Sequence, residues 1–247
     1  MPRKARVKSS TEIYHVMIRG INKQTIFIDE EDNAKFLQII EDCIPICEFE
    51  LYGYCLMGNH AHILLKEGKE TLDRVFKRIG TRYVYWFNNK YMRNGHLFQD
   101  RFKSEPIESD PYFIVALRYI HQNPLKAGIC KSIDEYAWSS YHNYLGKRGI
   151  INVDFAFEII GNDNFIAVMN EAADDNCLED NEKIRKLSDT ELINLIEDKF
   201  KIKPIMLQNE PKEIMDDILK SILKLDCVTT RQLSRITGIS INKIWTL

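Results

Sequence analysis

The sequence predicts an α+β fold in which helices pack on an antiparallel sheet, followed by an all-α C-terminal region. Alternating segments rich in β-branched and aromatic residues predict strands at residues 14–19, 49–56 and 60–65. Apolar residues at helical spacing predict helices between and after these strands. The two patterns do not alternate regularly, as they would in a doubly wound parallel sheet, so they favour an antiparallel sheet.

Three helices are predicted from their own local signals. Acidic residues at positions 29–32 introduce a helix through residue 44, and Thr71 introduces a second one over residues 71–91. Asp110 is the predicted N-cap of the third helix, and Pro111 suits its first position. Pro124 is predicted to end it.

The predicted organisation has three parts. Residues 1–148 form the sheet-containing domain, residues 149–210 a helical extension or linker, and residues 211–247 a helix-turn-helix-like segment with its turn at Gly238. Asn242 and Lys243 are predicted to point outward from the second helix of this segment and to read the DNA major groove. Short helical hairpins also occur in proteins that bind no DNA.

Charge is distributed unevenly along the 247 residues, although the net charge is only −2. Residues 1–148 carry 22 basic and 18 acidic side chains, against 12 and 18 in the remainder. The basic excess in the first part suits a polyanion such as nucleic acid. The six cysteines include no Cys-x-x-Cys pair that would indicate a zinc site. We expect no membrane partner and a cytoplasmic protein, because no apolar run is long enough to span a bilayer and the start does not resemble a signal peptide.

Two histidines and a tyrosine are the candidates for chemistry. His60 and His62 are two apart in a strand, so both imidazoles face one side and can hold one metal ion. Tyr119 lies in the third predicted helix, and Asn123 follows one turn later. Each residue also has a plainer interpretation. Strands carry pairs of histidines without a metal, the spacing of Tyr112 and Tyr119 equally fits a packing stripe, and an asparagine before a proline is typical of a helix end.

This combination of residue types suits attack by a hydroxyl on a phosphodiester. A divalent metal neutralises the phosphate and stabilises the leaving oxygen. Two histidines with an oxygen ligand leave positions open for phosphate oxygens and water, and they accept Mg²⁺ or Mn²⁺, although imidazole by itself favours zinc and other transition metals. A tyrosine has an ordinary pKa of ~10, so it needs the metal or a base to react.

Four motifs in order resemble the single-tyrosine transposases of the IS200-like superfamily, and in particular their REP-associated branch. They are YHV with the following Arg-Gly at residues 14–20, MGNHAH at 57–62, GHLFQDRFKS at 95–104 and YIHQNPLKAG at 119–128. These transposases are HUH enzymes, named for two histidines that flank a hydrophobic residue. The resemblance implies a ferredoxin-like fold, a metal bound by His60 and His62, and attack by Tyr119 on single-stranded or hairpin DNA to give a 5′-phosphotyrosine.

The resemblance leaves the third metal ligand open. Insertion-sequence relatives have a glutamine one turn after the tyrosine, where this chain has Asn123, and His121 is the alternative. DNA binding is expected from cationic and polar side chains near the start of the chain, after the first strand and in the third motif. These residues are Arg3, Lys4, Arg6, Lys8, Arg19, Asn22, Arg101 and Lys103.

Two functions are therefore predicted from the sequence. The first is a metal-dependent DNA strand transferase, cytoplasmic and associated with the nucleoid, acting as a monomer or a homodimer. The second is a non-catalytic relative that binds DNA hairpins or regulates through its C-terminal segment. A replication-initiating nuclease would share the histidine pair but does not fit the motif at residues 95–104.

Overall fold

Four strands in the first part of the chain form one antiparallel sheet, in the spatial order β2-β3-β1-β4. They alternate with two helices in the order β1-α1-β2-β3-α2-β4, which is the ferredoxin-like arrangement. The predicted mixture of an antiparallel sheet with packed helices is confirmed. The bounds are β1 (Ile13–Arg19), α1 (Glu30–Cys47), β2 (Glu50–Met57), β3 (His60–Lys66), α2 (Leu72–Lys90) and β4 (Lys103–Pro106).

The computed structural model describes residues 6–172, 177–178, 187, 189–223, 225, 228 and 230–245. The chain divides into two compact units, Met1–Leu178 and Glu179–Leu247. This division differs from the predicted boundaries at residues 148 and 210. The reason is that helices after residue 148 bury apolar side chains, such as Phe165 and Met169, in the core of the first unit.

The two faces of the sheet pack against different helices. Val16, Ala61 and Ile63 lie on the face that packs against α1 and α2. Because neighbouring residues on a strand point to opposite faces, His60 and His62 lie on the other face. The helix that follows β4, α3 (Asp110–Lys126), covers that second face.

The first face is held by local capping and by buried aromatic contacts. The Asp29 carboxylate accepts a hydrogen bond from the Asp32 backbone N–H at 3.1 Å, and the Asp32 carboxylate accepts one from the Asp29 N–H at 3.2 Å. A cap of this kind stabilises a helix by about 1 kcal/mol. Lys90, at the end of α2, bonds both carboxylates, and the buried Tyr83 hydroxyl donates to the Ile26 carbonyl.

Both ends of α3 differ from their prediction. The N-cap is Ser109, whose hydroxyl accepts from the Tyr112 N–H, so Asp110 is the first helical residue and not the cap. Pro124 does not end the helix, which continues to Lys126. Proline lacks the N–H that would bond the Ile120 carbonyl, so one helical hydrogen bond is lost. The turn after it is held by bonds from the Ala127 and Ile129 N–H groups to the Asn123 and Pro124 carbonyls.

Shorter helices fill the rest of the described chain. Those of the first unit pack beside α3 and are α4 (Tyr141–Tyr144), α5 (Asp154–Ile160) and α6 (Phe165–Asn170). Those of the second unit enclose a separate core and are α7 (Asp189–Phe200), α8 (Lys212–Leu223), α9 (Thr230–Thr237) and α10 (Ile241–Trp245). Within the residues that the structure describes, each helix is too short or too polar to span a bilayer.

The last two helices form the short hairpin that the sequence indicated. Gly238, between them, has a φ of +73°, which favours glycine. The Ser240 hydroxyl accepts from the Lys243 N–H at 3.4 Å and so caps α10. Asn242 and Lys243 are exposed on this helix. The interpretation of the hairpin as a DNA-reading helix-turn-helix stays a prediction.

Candidate active site

His60 and His62 lie side by side at the start of β3. Their ring centroids are 5.1 Å apart, and the ring planes are nearly perpendicular, at 87°. His62 is 1% exposed, whereas His60 is half-buried. Ala61, between them, is wholly buried on the opposite face. The alternation of the strand therefore directs both imidazoles to the side of the sheet that α3 covers.

Each of these imidazoles has a partner at its Nδ1 atom. Nδ1 of His60 lies 2.6 Å from Oδ1 of Asn59, and Nδ1 of His62 lies 2.9 Å from Nε2 of His15. An amide oxygen only accepts hydrogen bonds, so Asn59 holds the proton of His60 on Nδ1. The Nε2 atom of His60 then carries a lone pair, which is the form that binds a metal.

Tyr119 and Asn123 reach the histidines from α3. The Tyr119 ring meets the His62 ring edge-on, with centroids 5.5 Å apart, and it is 5% exposed. One turn later, Nδ2 of Asn123 lies 3.4 Å from Nε2 of His62. A phenol, an amide and two imidazoles from a single chain therefore meet in one pocket.

His121, the alternative third ligand, points elsewhere. Its Nε2 atom lies 2.9 Å from Oγ of Ser140, and its ring packs edge-on against Tyr141 and Tyr144. Two residues along a helix turn the side chain by about 200°, which explains why His121 faces away from Tyr119. The structure brings Asn123, and not His121, to the histidine pair.

Burial keeps the imidazoles of this pocket neutral. Loss of solvation lowers the pKa of His60 to about 4, and it lowers the pKa of His62 well below its ordinary value. The positive charge of Arg19 lowers both pKa values further. The same burial lowers the pKa of His15 to about 3. The imidazoles of His60 and His62 therefore need lose no proton before they bind a cation at neutral pH.

The residues of the pocket fit a weakly held divalent ion. Within the described part of the chain, no cluster of three or more His, Cys, Asp or Glu side chains is arranged to hold a metal. The available donors are instead the two imidazoles and the amide oxygen of Asn123. Such a set leaves several coordination positions for water and phosphate oxygens, and its neutral ligands leave the charge of the ion undiminished.

Cationic side chains from three elements lie on the same side of the sheet as this pocket. Arg19 pairs with His60 across β1 and β3. Lys103 pairs with Met17, which in turn pairs with His62, so Lys103 lies on the same face of the sheet. Lys126, at the end of α3, places its ammonium 5.4 Å from the centre of the Tyr119 ring. The positive charge suits a phosphate backbone.

The other residues predicted to bind DNA lie at varied places. Arg6 forms an ion pair with Asp73 of α2 and stacks on the Phe102 ring at 3.6 Å. Lys8, Asn22 and Arg101 are exposed. Arg3 and Lys4 lie outside the described residues. Asn242 and Lys243 lie in the second unit.

Comparison with known proteins agrees with this geometry. The family model described as "Transposase IS200 like" matches residues 8–123, which include the histidine pair, the tyrosine and Asn123. This part of the chain, slightly less than half of its length, is similar to the IS200-like transposases. The predicted resemblance, including that to the REP-associated branch, is confirmed by two further similarities.

One relative is the REP-associated tyrosine transposase of Escherichia coli (strain K12). This chain is 23% identical to it over 113 residues, which are 45% of this chain and 65% of that protein. The chain thus matches slightly less than two thirds of its relative. A solved structure of a REP-associated tyrosine transposase bound to a REP hairpin aligns with a TM-score of 0.51 and 18% identity. It covers 62% of this chain and 90% of that chain, and it supports the fold.

The sequence did not single out three residues that lie at this pocket. His15 is on β1, Asn59 immediately precedes β3, and Lys126 is at the end of α3. Lys126 was detectable, because positions 119, 123 and 126 share one helical face. His15 was not, because its place beside His62 depends on how β1 pairs with β3.

Proposed function

We propose that this protein is a metal-dependent DNA transposase that cleaves and rejoins single-stranded or hairpin DNA through a covalent bond to Tyr119. The observation that carries the proposal is the contact between the Tyr119 ring and the His62 ring, 5.5 Å apart, within one chain. The match of residues 8–123 to the IS200-like transposase family model supports the same reaction class.

In the proposed reaction, the Tyr119 hydroxyl oxygen attacks a phosphorus atom of the DNA. A bond forms between that oxygen and phosphorus, and the bond between phosphorus and the 3′ oxygen breaks. The phenol loses its proton, and the departing 3′ oxygen takes up a proton to become a hydroxyl. The products are a 5′-phosphotyrosine and a free 3′-hydroxyl, and no atom is oxidised or reduced. Because the phosphodiester is replaced by another ester, a later 3′-hydroxyl can reverse the step and rejoin DNA.

His60, His62 and Asn123 would hold the Mg²⁺ or Mn²⁺ ion. When bound, the ion supplies a Lewis acid that neutralises the phosphate charge and stabilises the leaving oxygen. The chain itself supplies the nucleophile and the side chains that surround it. The sheet and α3 bury Tyr119 beside the histidines, which limits the motion of the nucleophile, and Lys126 stands over its ring.

The proposed partner is single-stranded or hairpin DNA. The solved relative is described as bound to a REP hairpin, and the cations around the pocket of this chain provide a matching charge. Arg19 on β1 and Lys103 on β4 lie on the same sheet face as the histidine pair and would position the DNA backbone. The helical hairpin of the second unit is a further candidate for contact with duplex DNA.

A labelling experiment tests the reaction and its polarity. The full chain is incubated with Mn²⁺ and a library of hairpin oligonucleotides that have randomised single-stranded flanks. A 3′ label is expected to move into a covalent protein adduct, whereas a 5′ label is expected in a shorter free strand that ends in a 3′-hydroxyl. Addition of a chelator is expected to abolish both products.

Two tyrosine variants make the experiment specific. Tyr119→Phe is expected to bind the selected hairpins but to form no adduct. Tyr112→Phe removes another phenol from α3, two turns earlier, and is expected to react like the wild type. If no library member yields an adduct with Mn²⁺ or Mg²⁺ while binding persists, the protein is instead a non-catalytic hairpin-binding relative.

A further inference from the structure

His15 occupies a position in which a polar ring is costly. It is wholly buried on β1, and its Nε2 atom lies 2.9 Å from Nδ1 of His62. Within the described part of the chain, its own Nδ1 atom has no hydrogen-bond partner. A buried polar group without a partner destabilises the folded state, and an apolar residue of similar size would not do so. Packing alone therefore does not explain this histidine.

The hydrogen bond between the two imidazoles has two possible directions. If Nε2 of His15 donates, then the proton of His62 sits on Nε2, and that atom cannot bind a metal. If Nδ1 of His62 donates, then Nε2 of His62 carries a lone pair that faces the pocket. The amide nitrogen of Asn123, 3.4 Å from Nε2 of His62, is a donor and matches the second direction.

We propose that His15 is a positioning residue that accepts the Nδ1 proton of His62 and thereby directs the Nε2 lone pair of His62 into the metal pocket. This inference rests on the proposed function. Asn59 holds the same relationship to His60, with Oδ1 at 2.6 Å from Nδ1. Each histidine of the pair then has its own orienting acceptor. Such partners fix the tautomer and the angle of a ligand ring.

His15 is not placed to be a third ligand itself. Its Nε2 atom is engaged by His62, and its Nδ1 atom is on the other side of the same ring. Its ring also meets the Tyr119 ring edge-on, with centroids 5.8 Å apart. His15 therefore contacts both the metal-binding histidine and the nucleophile, and it orients the first through a hydrogen bond.

Two substitutions separate the hydrogen bond from the volume of the side chain. His15→Gln keeps an acceptor near the position of Nε2, and His15→Leu fills the space without one. His121→Leu is the matched control, because His121 is equally buried and also has one side-chain hydrogen bond, but to Ser140 on the far side of α3. Thermal unfolding of each full-length variant establishes that it is folded.

The first readout is the tautomer of His62 in the metal-free wild type, measured by long-range ¹H–¹⁵N NMR correlations. The expected state has the proton on Nδ1 and none on Nε2. The second readout is the dissociation constant for Mn²⁺ alone, measured by electron paramagnetic resonance. His15→Leu is expected to weaken Mn²⁺ binding by about 10- to 100-fold, and His15→Gln and His121→Leu by less than about threefold.

The outcomes distinguish this inference from the proposed function. A proton on Nε2 of His62, or wild-type Mn²⁺ affinity in folded His15→Leu, overturns the role of His15 while the wild type still cleaves DNA. Equal losses in His15→Leu and His15→Gln would also overturn it, because they would indicate direct ligation or packing. If the wild type neither binds Mn²⁺ nor forms the Tyr119 adduct, the proposed function fails, and this inference fails with it.

Discussion

Tyr119 and Lys126 lie seven residues apart on α3, and the Lys126 ammonium stands 5.4 Å from the centre of the Tyr119 ring. Positions seven apart share one face of a helix. The same helix that positions the proposed nucleophile therefore also provides a cation beside it. A positive charge at this place favours negative charge on the phenol oxygen as the reaction begins.

The first prediction concerns this cation. Lys126→Met is expected to slow single-turnover cleavage about tenfold, which corresponds to ~1.4 kcal/mol of lost stabilisation. Lys126→Arg keeps the charge and is expected to retain most of the rate. Lys131→Met, which removes an exposed lysine beyond the helix, is the control. Equal rates for Lys126→Met and the wild type would show that the ammonium does not assist the reaction.

The second prediction concerns the amide of Asn123. Asn123→Ala is expected to weaken Mn²⁺ binding about tenfold, because it removes the amide whose oxygen is the proposed third ligand. Asn123→Gln retains an amide oxygen and is expected to lose less than Asn123→Ala. Isothermal titration of the metal-free protein with Mn²⁺ measures both values. Unchanged affinity in Asn123→Ala would leave the two histidines as the only protein ligands.

The strand alternation and the helix spacing were enough to predict the core of this pocket. Because side chains alternate on a strand, His60 and His62 had to face one way once β3 was recognised. Because a helical turn is 3.6 residues, Asn123 had to follow Tyr119 on the same face, and His121 had to point elsewhere. These are local relationships, and local sequence determines them.

The same reasoning could not predict contacts between side chains on separate strands or helices. His15 meets His62 only because β1 and β3 pair in one register, in which His62 lies opposite Met17. A shift of one residue would turn His15 to the opposite face. The end of α3 was predicted wrongly because a proline removes only one hydrogen bond. Bonds from the Ala127 and Ile129 N–H groups hold the turn that follows Pro124.

The third prediction concerns stability and pH. Burial lowers the pKa of His121 to about 3, whereas in an unfolded chain it is ~6.5. Below pH 6.5 the unfolded chain therefore binds a proton at His121 that the folded chain does not bind. The free energy of unfolding is not reduced by this residue above pH 6.5, and it decreases as the pH falls below that value. Between pH 6 and pH 4 this residue is expected to remove about 1.4 kcal/mol of unfolding free energy per pH unit.

Urea unfolding at several pH values measures this effect. The unfolding free energy of His121→Leu is expected to fall less steeply with pH than that of the wild type, by about 1.4 kcal/mol per pH unit. Phe165→Leu perturbs the same aromatic cluster without a titrating group, so it is expected to lower stability equally at each pH. Identical slopes for His121→Leu and the wild type would mean that His121 does not stay neutral in the folded protein.

The fourth prediction concerns the second unit. If α10 contacts DNA, Lys243→Gln is expected to weaken binding of duplex-containing hairpins and to reduce the slope of log affinity against log salt by about 0.9. Lys220→Gln, an exposed lysine on α8, is the matched control and is expected to change neither quantity. Fluorescence anisotropy at several salt concentrations gives both. Equal affinity and equal salt dependence in Lys243→Gln and Lys220→Gln would argue against DNA contact by the α9–α10 helical hairpin.

The fifth prediction concerns whether one chain is sufficient for cleavage. Tyr119 contacts His62 within the same chain, so an exchange of α3 between two chains is not needed to complete the pocket. A mixture of Tyr119→Phe and His62→Ala is therefore expected to form no adduct with the 3′-labelled hairpin. An exchanged arrangement would instead restore adduct, because one pocket would combine the intact histidines of the first variant with the intact tyrosine of the second. Wild-type protein diluted with Tyr119→Phe provides the reference, and adduct is expected to fall in proportion to the wild-type fraction when each chain acts by itself.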